Sequence, residues 1–416
     1  MALHTRFVSE SPADLVAWLR AVYAGFFSPP ELLTQEQAEE HRARQDFSRA
    51  RGVFDGERCV ATYRSFGQEL TVPGGASVEA NAVTSVSVTA THRRRGLLRG
   101  LIVEDLAAAR ERGDVAATLI AAEYRIYGRF GFGPATSSTR WEVDVPRAGL
   151  DPRWTLPAAE GSLTFVDAAE ARKEGPGLHE RFRRCRAGVV DRPPLWWDRN
   201  TGLVRFDRKP WAERFWVLHR DAEGVPQGLA AFQVEEQYVN GAPANRAKVN
   251  GLLAATPAAE RALWRFLLSL DRLVSLDTQL SDPDALLPDL LPDPRAALPR
   301  EQTDFLWLRP LDVPRLLAAR EYAAEGSLVL DIRDPLGLSG GRFLLEAGPE
   351  GASCAPTTRS PDLTLDTGTL ARMYLGEVTA ARLVALGTLD VHTTGAPDRA
   401  DSLFRTGRRP WCPDVF

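Results

Sequence analysis

The stretch Val88–Ile102, VTATHRRRGLLRGLI, joins the end of a strand rich in β-branched residues to an apolar pattern of helical spacing that begins after Gly96. The first backbone N–H groups of such a helix have no partner within the helix, and the helix dipole adds partial positive charge there. A glycine at this turn lets a ligand approach the backbone closely. The stretch therefore predicts a strand–turn–helix unit that binds a phosphate group. Taken alone, the same residues also fit a solvated basic turn.

A second stretch, LAATPAAERALWRFL at residues 253–267, has the same order of strand, turn and apolar helix. Aligning Thr91 with Thr256 places Arg261 opposite Gly96 and puts alanines opposite two of the turn arginines. The sequence therefore predicts a duplicated unit in which only the first copy binds a phosphate-bearing ligand.

The length of 416 residues is too great for one ordinary domain. Strand and helix patterns alternate up to about residue 145, and residues 146–177 form a transition rich in Pro and Gly. A second transition, rich in Pro and Asp, covers residues 281–302. We therefore predict an α/β (α+β) fold class with three domains, at residues 1–147, 148–300 and 301–416.

Composition excludes several classes of function. The net charge is −4 and the arginines are dispersed, which argues against nucleic acid as a partner. No apolar run approaches the roughly 18 residues of a membrane span, and the N-terminal residues lack a signal-peptide core. We therefore expect a cytoplasmic protein without a membrane partner. The four cysteines and six histidines show no metal-ligand spacing, so no metal is expected.

Residues 93–96 resemble the R-x-x-G-x-G/A loop of the GNAT acetyltransferase superfamily, although Leu98 replaces its last small residue. Together with AAEYRIYGRFGFGPAT at residues 121–136, THRRRGLLR resembles the Eis family of N-acetyltransferases over nearly the full length. This resemblance implies two fused GNAT domains, a sterol-carrier-protein-like third domain, and a homohexamer. It also implies an acetyl-CoA site in the first domain only.

The resemblance assigns acetyl-CoA contacts to the end of the strand, the turn, the start of the helix, and the end of the next strand. These residues are Val86, Ser87, Val88, Arg94, Arg95, Gly96, Leu97, Leu98, Arg99, Ala122 and Glu123. The strand that carries residues 86–88 parts from its neighbour in GNAT folds, so its backbone can pair with the pantetheine arm. Without the resemblance, residues 86–88 also fit an ordinary buried strand.

Acetyl transfer to an amine needs a proton donor for the leaving thiolate and a base for the amine. The resemblance places the acid at Tyr127, with Tyr124 as the weaker candidate, and the base at the C-terminal carboxylate of Phe416. Asp414 is expected to assist at the acceptor site. A buried structural tyrosine and a frayed terminus without function are the alternatives.

The acceptor pocket is expected to use Phe26, Phe27 and Glu31, because aromatic walls with acidic groups suit aminoglycosides or other polyamines, acetylated at one or several positions. A solvated helix face is the alternative for these residues. Two other functions stay open. One is a non-catalytic assembly protein that binds CoA or lipid, and the other is a GNAT-type transferase of longer acyl or aminoacyl groups.

Overall fold

The computed structural model describes residues 3–149, 151, 161–205 and 211–416. Up to residue 149 the strands are β1 (Leu3–Phe7), β2 (Ala50–Asp55), β3 (Arg58–Thr71), β4 (Ser77–Val88), β5 (Ala116–Ile120), β6 (Gly133–Pro134) and β7 (Ser137–Asp144). The helices of this part are α1 (Pro12–Gly25), α2 (Gln35–Arg44), α3 (Leu97–Arg112), α4 (Tyr124–Tyr127) and α5 (Val145–Ala148).

Between residues 161 and 310 the strands are β8 (Ser162–Val166), β9 (Phe215–Arg220), β10 (Pro226–Glu235), β11 (Tyr238–Val239), β12 (Ala242–Pro243), β13 (Asn245–Ala254), β14 (Leu273–Asp277), β15 (Ala297–Asp304) and β16 (Leu306–Pro310). The helices are α6 (Ala168–Arg184), α7 (Pro194–Asn200) and α8 (Pro257–Leu268).

The last part contains the strands β17 (Gly326–Arg333), β18 (Gly341–Gly348), β19 (Gly351–Pro356), β20 (Leu363–Asp366) and β21 (Leu389–Val391). Its helices are α9 (Val313–Ala319), α10 (Thr367–Tyr374), α11 (Ala380–Ala385) and α12 (Ala396–Phe404). The strands form a sheet in the order β19-β18-β17-β20-β21. Its apolar core is continuous with Leu306 and Leu308 of β16, so the third unit packs directly on the first sheet.

The first sheet has the strand order β1-β2-β3-β4-β5-β16-β6. Helix α1 packs in one apolar cluster with Cys59, whereas α3 packs in another with Val60. Because adjacent residues of a strand point to opposite faces, the two helices cover opposite faces of this sheet. The predicted α/β (α+β) class is confirmed.

The sheets do not follow the predicted boundaries at residues 147 and 300. Strand β7 precedes the first boundary but lies in the second sheet, where it pairs with β14 and β15. Strand β15 runs across the second boundary, and β16 beyond it pairs with β5 and β6 of the first sheet. Strand β16 is buried along its whole length, so its residues predict a central strand but not the sheet that receives it.

The second sheet has the order β15-β7-β14-β13-β10-β9-β8 and repeats the first around β13. The parallel ladder between β4 and β5 ends at Val83 opposite Leu119, and that between β13 and β14 ends at Lys248 opposite Asp277. Each of β4 and β13 also carries an irregularity in its pairing with the preceding long strand. The predicted duplication is therefore present in the backbone.

Candidate active site

Strand β4 parts from β5 near its carboxyl end. The ladder between them stops at Val83, but β4 continues to Val88 and stays paired with β3. A bulge interrupts that pairing, with Ser85 in the left-handed region at φ 53°. The predicted contacts Val86, Ser87 and Val88 thus lie on the splayed segment, where they are half-buried. Such a segment has backbone groups that an extended ligand can pair with as an added strand.

The turn after β4 ends at Gly96, which has φ 78° and precedes the first residue of α3. Among the described residues, apart from Gly96 and its two chain neighbours, no heavy atom lies within 4 Å of the position that a Cβ on Gly96 would occupy. Arg94, Arg95 and Arg99 are exposed around this turn, whereas Leu97 and Leu98 are half-buried and pack against the core under α3. The start of α3 therefore combines open space, exposed guanidinium groups and the positive end of a helix.

The two equivalent helices differ at their first turns. In α8, the Thr256 hydroxyl accepts a hydrogen bond from the Ala259 amide at 3.2 Å, and Pro257 has no N–H to offer. In the described part of the chain, no side chain caps the first amides of α3. The first turn of α8 thus offers fewer free donors than the first turn of α3, where no side chain competes with a ligand for the amides.

We predict that Gly96→Asp weakens CoA binding by about tenfold or more, because it places a carboxylate beside the amides that an anion would use. Gly96→Asn is the matched control, since it adds nearly the same volume at the same left-handed φ without the charge. The dissociation constants of CoA, measured by calorimetry, check this prediction. Equal constants for the Asp and Asn variants would contradict it.

Tyr127 ends the short helix α4 that follows β5. Its ring is 7% exposed and meets Phe132 edge-on at a centroid distance of 6.1 Å. It packs in the apolar cluster that contains Val83 and Leu119, the last pair of the β4–β5 ladder. Burial, together with the Glu123 carboxylate, raises the pKa of Tyr127 to about 12. The phenol therefore keeps its proton at neutral pH.

The other residues predicted on this connection lie at the surface. Ala122 and Glu123 are exposed between β5 and α4. Tyr124 is 58% exposed, and its ring contacts Trp307 edge-on at 4.9 Å. Burial thus distinguishes the two tyrosines, because Tyr127 lies inside the cluster under the splayed strands and Tyr124 lies outside it.

Phe416 reaches the same end of the ladder from the far end of the chain. The Thr84 hydroxyl donates a hydrogen bond to the terminal oxygen of Phe416 at 3.0 Å. The Phe416 ring meets Phe66 of β3 edge-on at 6.0 Å. Since Thr84 directly follows the last ladder pair, the terminal carboxylate lies where β4 parts from β5. Thr84 and Phe66 were not predicted, because nothing in their sequence surroundings distinguishes them from other strand residues.

Phe26 and Phe27 follow α1 directly and are exposed, as is Glu31. Helix α1 ends close to the splayed segment, because a Cβ on Gly25 would lie only 2.5 Å from the Ser87 Cβ. Phe26 and Phe27 directly follow Gly25, the residue of α1 that approaches the splayed strand. Phe27 is almost fully exposed and has φ 56°.

Asp414 lies on the wall of a cavity of about 210 Å³ that Trp196 and Trp197 also line, and its carboxylate is ion-paired there. It is 3% exposed, and Arg192 Nε donates to both of its oxygens at 3.0 Å. A buried carboxylate needs such a partner, because desolvation of an unpaired charge is costly. Asp414 is thus held in an ion pair, and its place at the acceptor site stays a prediction.

A buried polar network connects α3 to the strands beneath it, and the sequence analysis missed it. Asp105 of α3 accepts hydrogen bonds from Tyr63, Ser65 and Asn81 at 2.9, 2.7 and 2.7 Å. Tyr63 lies opposite the bulge of β4, so the network fixes α3 relative to the splayed segment. No signal in one sequence reveals it, because an aspartate on a helix is ordinarily exposed.

Within the described residues, no group of three or more His, Cys, Asp or Glu side chains is arranged to hold a metal ion. No helix in this part of the chain is both long and apolar enough to cross a membrane.

Comparison with protein families matches an acetyltransferase (GNAT) domain to residues 8–135, a second acetyltransferase (GNAT) domain to residues 188–310, and a sterol carrier protein domain to residues 313–413. The N-acetyltransferase Eis of Mycobacterium tuberculosis is 34% identical over 367 residues, which cover 85% of each chain. The chain belongs to the Eis family of N-acetyltransferases.

Other relatives agree with this membership in the Eis family. An uncharacterised N-acetyltransferase of Streptomyces avermitilis is 53% identical over 405 residues, covering 97% of each chain. The crystal structure of Eis1 from Mycobacterium abscessus superposes with a TM-score of 0.83 at 31% identity, covering all of both chains. The family, the fold and the acetyltransferase activity predicted from the sequence are thus confirmed. GNAT acetyltransferases take their acetyl group from acetyl-CoA.

Proposed function

We propose that this Eis-family member transfers acetyl from acetyl-CoA to a primary amine at the splayed end of β4. The observation that carries the proposal is the hydrogen bond from Thr84 to the terminal oxygen of Phe416. It supports a base at the point where the β4–β5 ladder ends, and Tyr127 packs in the cluster that contains the last ladder pair. Acid and base would then act from the same end of the ladder.

Bound acetyl-CoA supplies an acetyl group activated as a thioester. We propose that the first amides of α3 and the exposed Arg94, Arg95 and Arg99 hold its diphosphate, and that the backbone of residues 86–88 pairs with its pantetheine arm. The uncapped start of α3 and the end of the ladder at Val83 support this arrangement. The capped first turn of α8 supports a single coenzyme site per chain.

Two groups of the chain would move protons. The phenol of Tyr127 holds its proton through neutral pH and donates it from its oxygen when the thiolate leaves. The carboxylate of Phe416 accepts the proton that an ammonium acceptor must lose, and the Thr84 hydroxyl holds this carboxylate in place. Both groups then return to their starting states by exchange with solvent.

For the acceptor we propose polycationic amines, aminoglycosides among them, acetylated at more than one position. The exposed rings of Phe26 and Phe27 and the carboxylate of Glu31 support this class, because α1 ends against Ser87. Mass spectrometry of the product counts the acetyl groups added.

We also propose that the protein assembles as a homohexamer. Light scattering measures the mass of the assembly.

Thiol release from acetyl-CoA in the presence of a panel of amines tests the proposal. We expect turnover with polyamines and faster turnover with acetyl-CoA than with longer acyl-CoA. Preference for a longer acyl-CoA would favour the transferase of longer acyl groups. Tight CoA binding without turnover of any amine would instead favour a non-catalytic assembly protein.

A further inference from the structure

One buried ion pair holds the end of the chain two residues before Phe416. Arg192 Nε lies 3.0 Å from both oxygens of Asp414, and Arg192 Nη2 lies 3.0 Å from Oδ1. The two side chains are 5% and 3% exposed. Because this pair is shielded from water, its geometry is far better defined than that of a surface ion pair.

The segment that carries Arg192 is itself bound to β3 of the first sheet. The Thr71 amide donates to the Val189 carbonyl at 2.9 Å, and the Gly188 amide donates to the Thr71 carbonyl at 2.8 Å. The Asp191 carboxylate accepts from the Glu69 amide at 2.8 Å. The guanidinium carbon of Arg192 also lies 3.6 Å from the centroid of the Trp196 ring. Arg192 is therefore fixed relative to β3.

The C-terminal residues follow the same segment. The Trp411 amide donates to the Ala187 carbonyl at 2.9 Å, and the Trp411 ring packs edge-on against Phe182 at 6.0 Å. Beyond the ion pair at Asp414, the Phe416 ring meets Phe66, which belongs to β3 as well. Strand β3 thus anchors both the segment that holds the tail and the ring at its end.

We propose that Arg192 is the positioning residue of the C-terminal carboxylate, an inference that rests on the proposed role of Phe416 as the base. Arg192 touches neither reacting group, and it acts by fixing Asp414 two residues before the base. Because Arg192 lies in the range matched by the second GNAT domain, this domain would contribute to the chemistry of the first. It would do so by holding the tail.

The test is Arg192→Met in the full-length protein. We expect kcat to fall by about 10- to 100-fold, because a shift of about 1 Å in a reacting group costs rate on this scale. The dissociation constant of acetyl-CoA should stay within about twofold, since the uncapped start of α3 is unchanged. Arg192→Lys restores the charge and should recover part of the rate. Arg320→Met is the control, because it removes a buried guanidinium from the third unit, away from the C-terminal carboxylate.

The decisive comparison combines Arg192→Met with one glycine added after Phe416. If Arg192 acts through the terminal carboxylate, the combined protein is no slower than the extended protein alone. The inference would be overturned if the combined protein lost kcat by the product of the two separate losses. An unchanged kcat in Arg192→Met, or an equal loss of kcat in Arg320→Met, would overturn it too. If instead the terminal carboxylate is not the base, the added glycine alone would leave turnover unchanged, so failure of the proposed function is distinguishable from these outcomes.

A fall in thermal stability of Arg192→Met would not prevent the comparison. The paired variant Arg192→Met/Asp414→Leu removes the unpaired buried carboxylate and keeps apolar groups at both positions. The glycine extension is then measured in this background. If the inference is correct, the extension lowers kcat in the paired variant by less than it does in the natural chain. An extension that still lowers kcat in the paired variant by as much as in the natural chain overturns the inference.

Discussion

Tyr127→Phe is expected to lower kcat for acetyl transfer by at least about 100-fold, because the variant keeps the buried ring but loses the proton that the leaving thiolate takes. The ring of Tyr127 contacts Phe132 in a buried cluster, which phenylalanine can fill equally well. The dissociation constant of acetyl-CoA should therefore change little. Steady-state kinetics with an amine acceptor, together with calorimetry, measure both quantities.

Tyr124→Phe provides the matched control for this substitution. Tyr124 lies three residues earlier, but its side chain is 58% exposed and rests against Trp307. We expect this variant to keep most of the natural kcat. If Tyr124→Phe lost as much activity as Tyr127→Phe, or if neither lost any, Tyr127 would not be the acid.

The pH dependence of kcat follows from the raised pKa of Tyr127. Burial raises this pKa to about 12, so the phenol binds its proton more tightly than in water and remains protonated below roughly pH 11. We therefore expect that deprotonation of Tyr127 does not lower kcat between about pH 7 and pH 10.5. A fall near pH 10, the ordinary value for a tyrosine, would contradict the buried environment of this phenol.

One glycine added after Phe416 is expected to lower kcat by about 100-fold. The extension converts the carboxylate beside Thr84 into an amide, which has no basicity at neutral pH. The Phe416 ring can stay against Phe66, so the fold and the CoA dissociation constant should be retained. The measurement is kcat with saturating acetyl-CoA.

Phe416→Leu is the control for this extension, since it keeps the terminal carboxylate and changes only the side chain. We expect a smaller loss of kcat than the glycine extension causes, through the weaker contact with Phe66. An extended protein that turns over at the natural rate would show that another group removes the proton from the amine. Thr84→Val separates these cases, because it removes the hydroxyl that holds the carboxylate but leaves the carboxylate in place.

The local features of this protein were determined by the sequence. The start of α3 after Gly96 and the turn arginines before it depend on patterns that lie within a few residues of one another, whereas Tyr127 was predicted through the family resemblance. Such patterns reflect backbone conformation and the periodicity of burial, which neighbouring residues decide. The duplication was visible for the same reason, because both copies keep the spacing from strand to helix. The prediction that the second copy binds no anion depended on single residues around Thr256, which caps α8.

Only the tertiary structure decided which distant segments meet. Strand β16 enters the first sheet between β5 and β6, although 185 residues of sequence separate it from β5. The Thr84 hydroxyl meets the end of the chain across 332 positions, and Arg192 meets Asp414 across 222. Buried apolar strands and buried charges can satisfy several alternative partners, and the packing of the whole chain selects among them. A single sequence contains the groups but not their pairing, so the resemblance predicted the base at Phe416 and only the fold revealed what holds it.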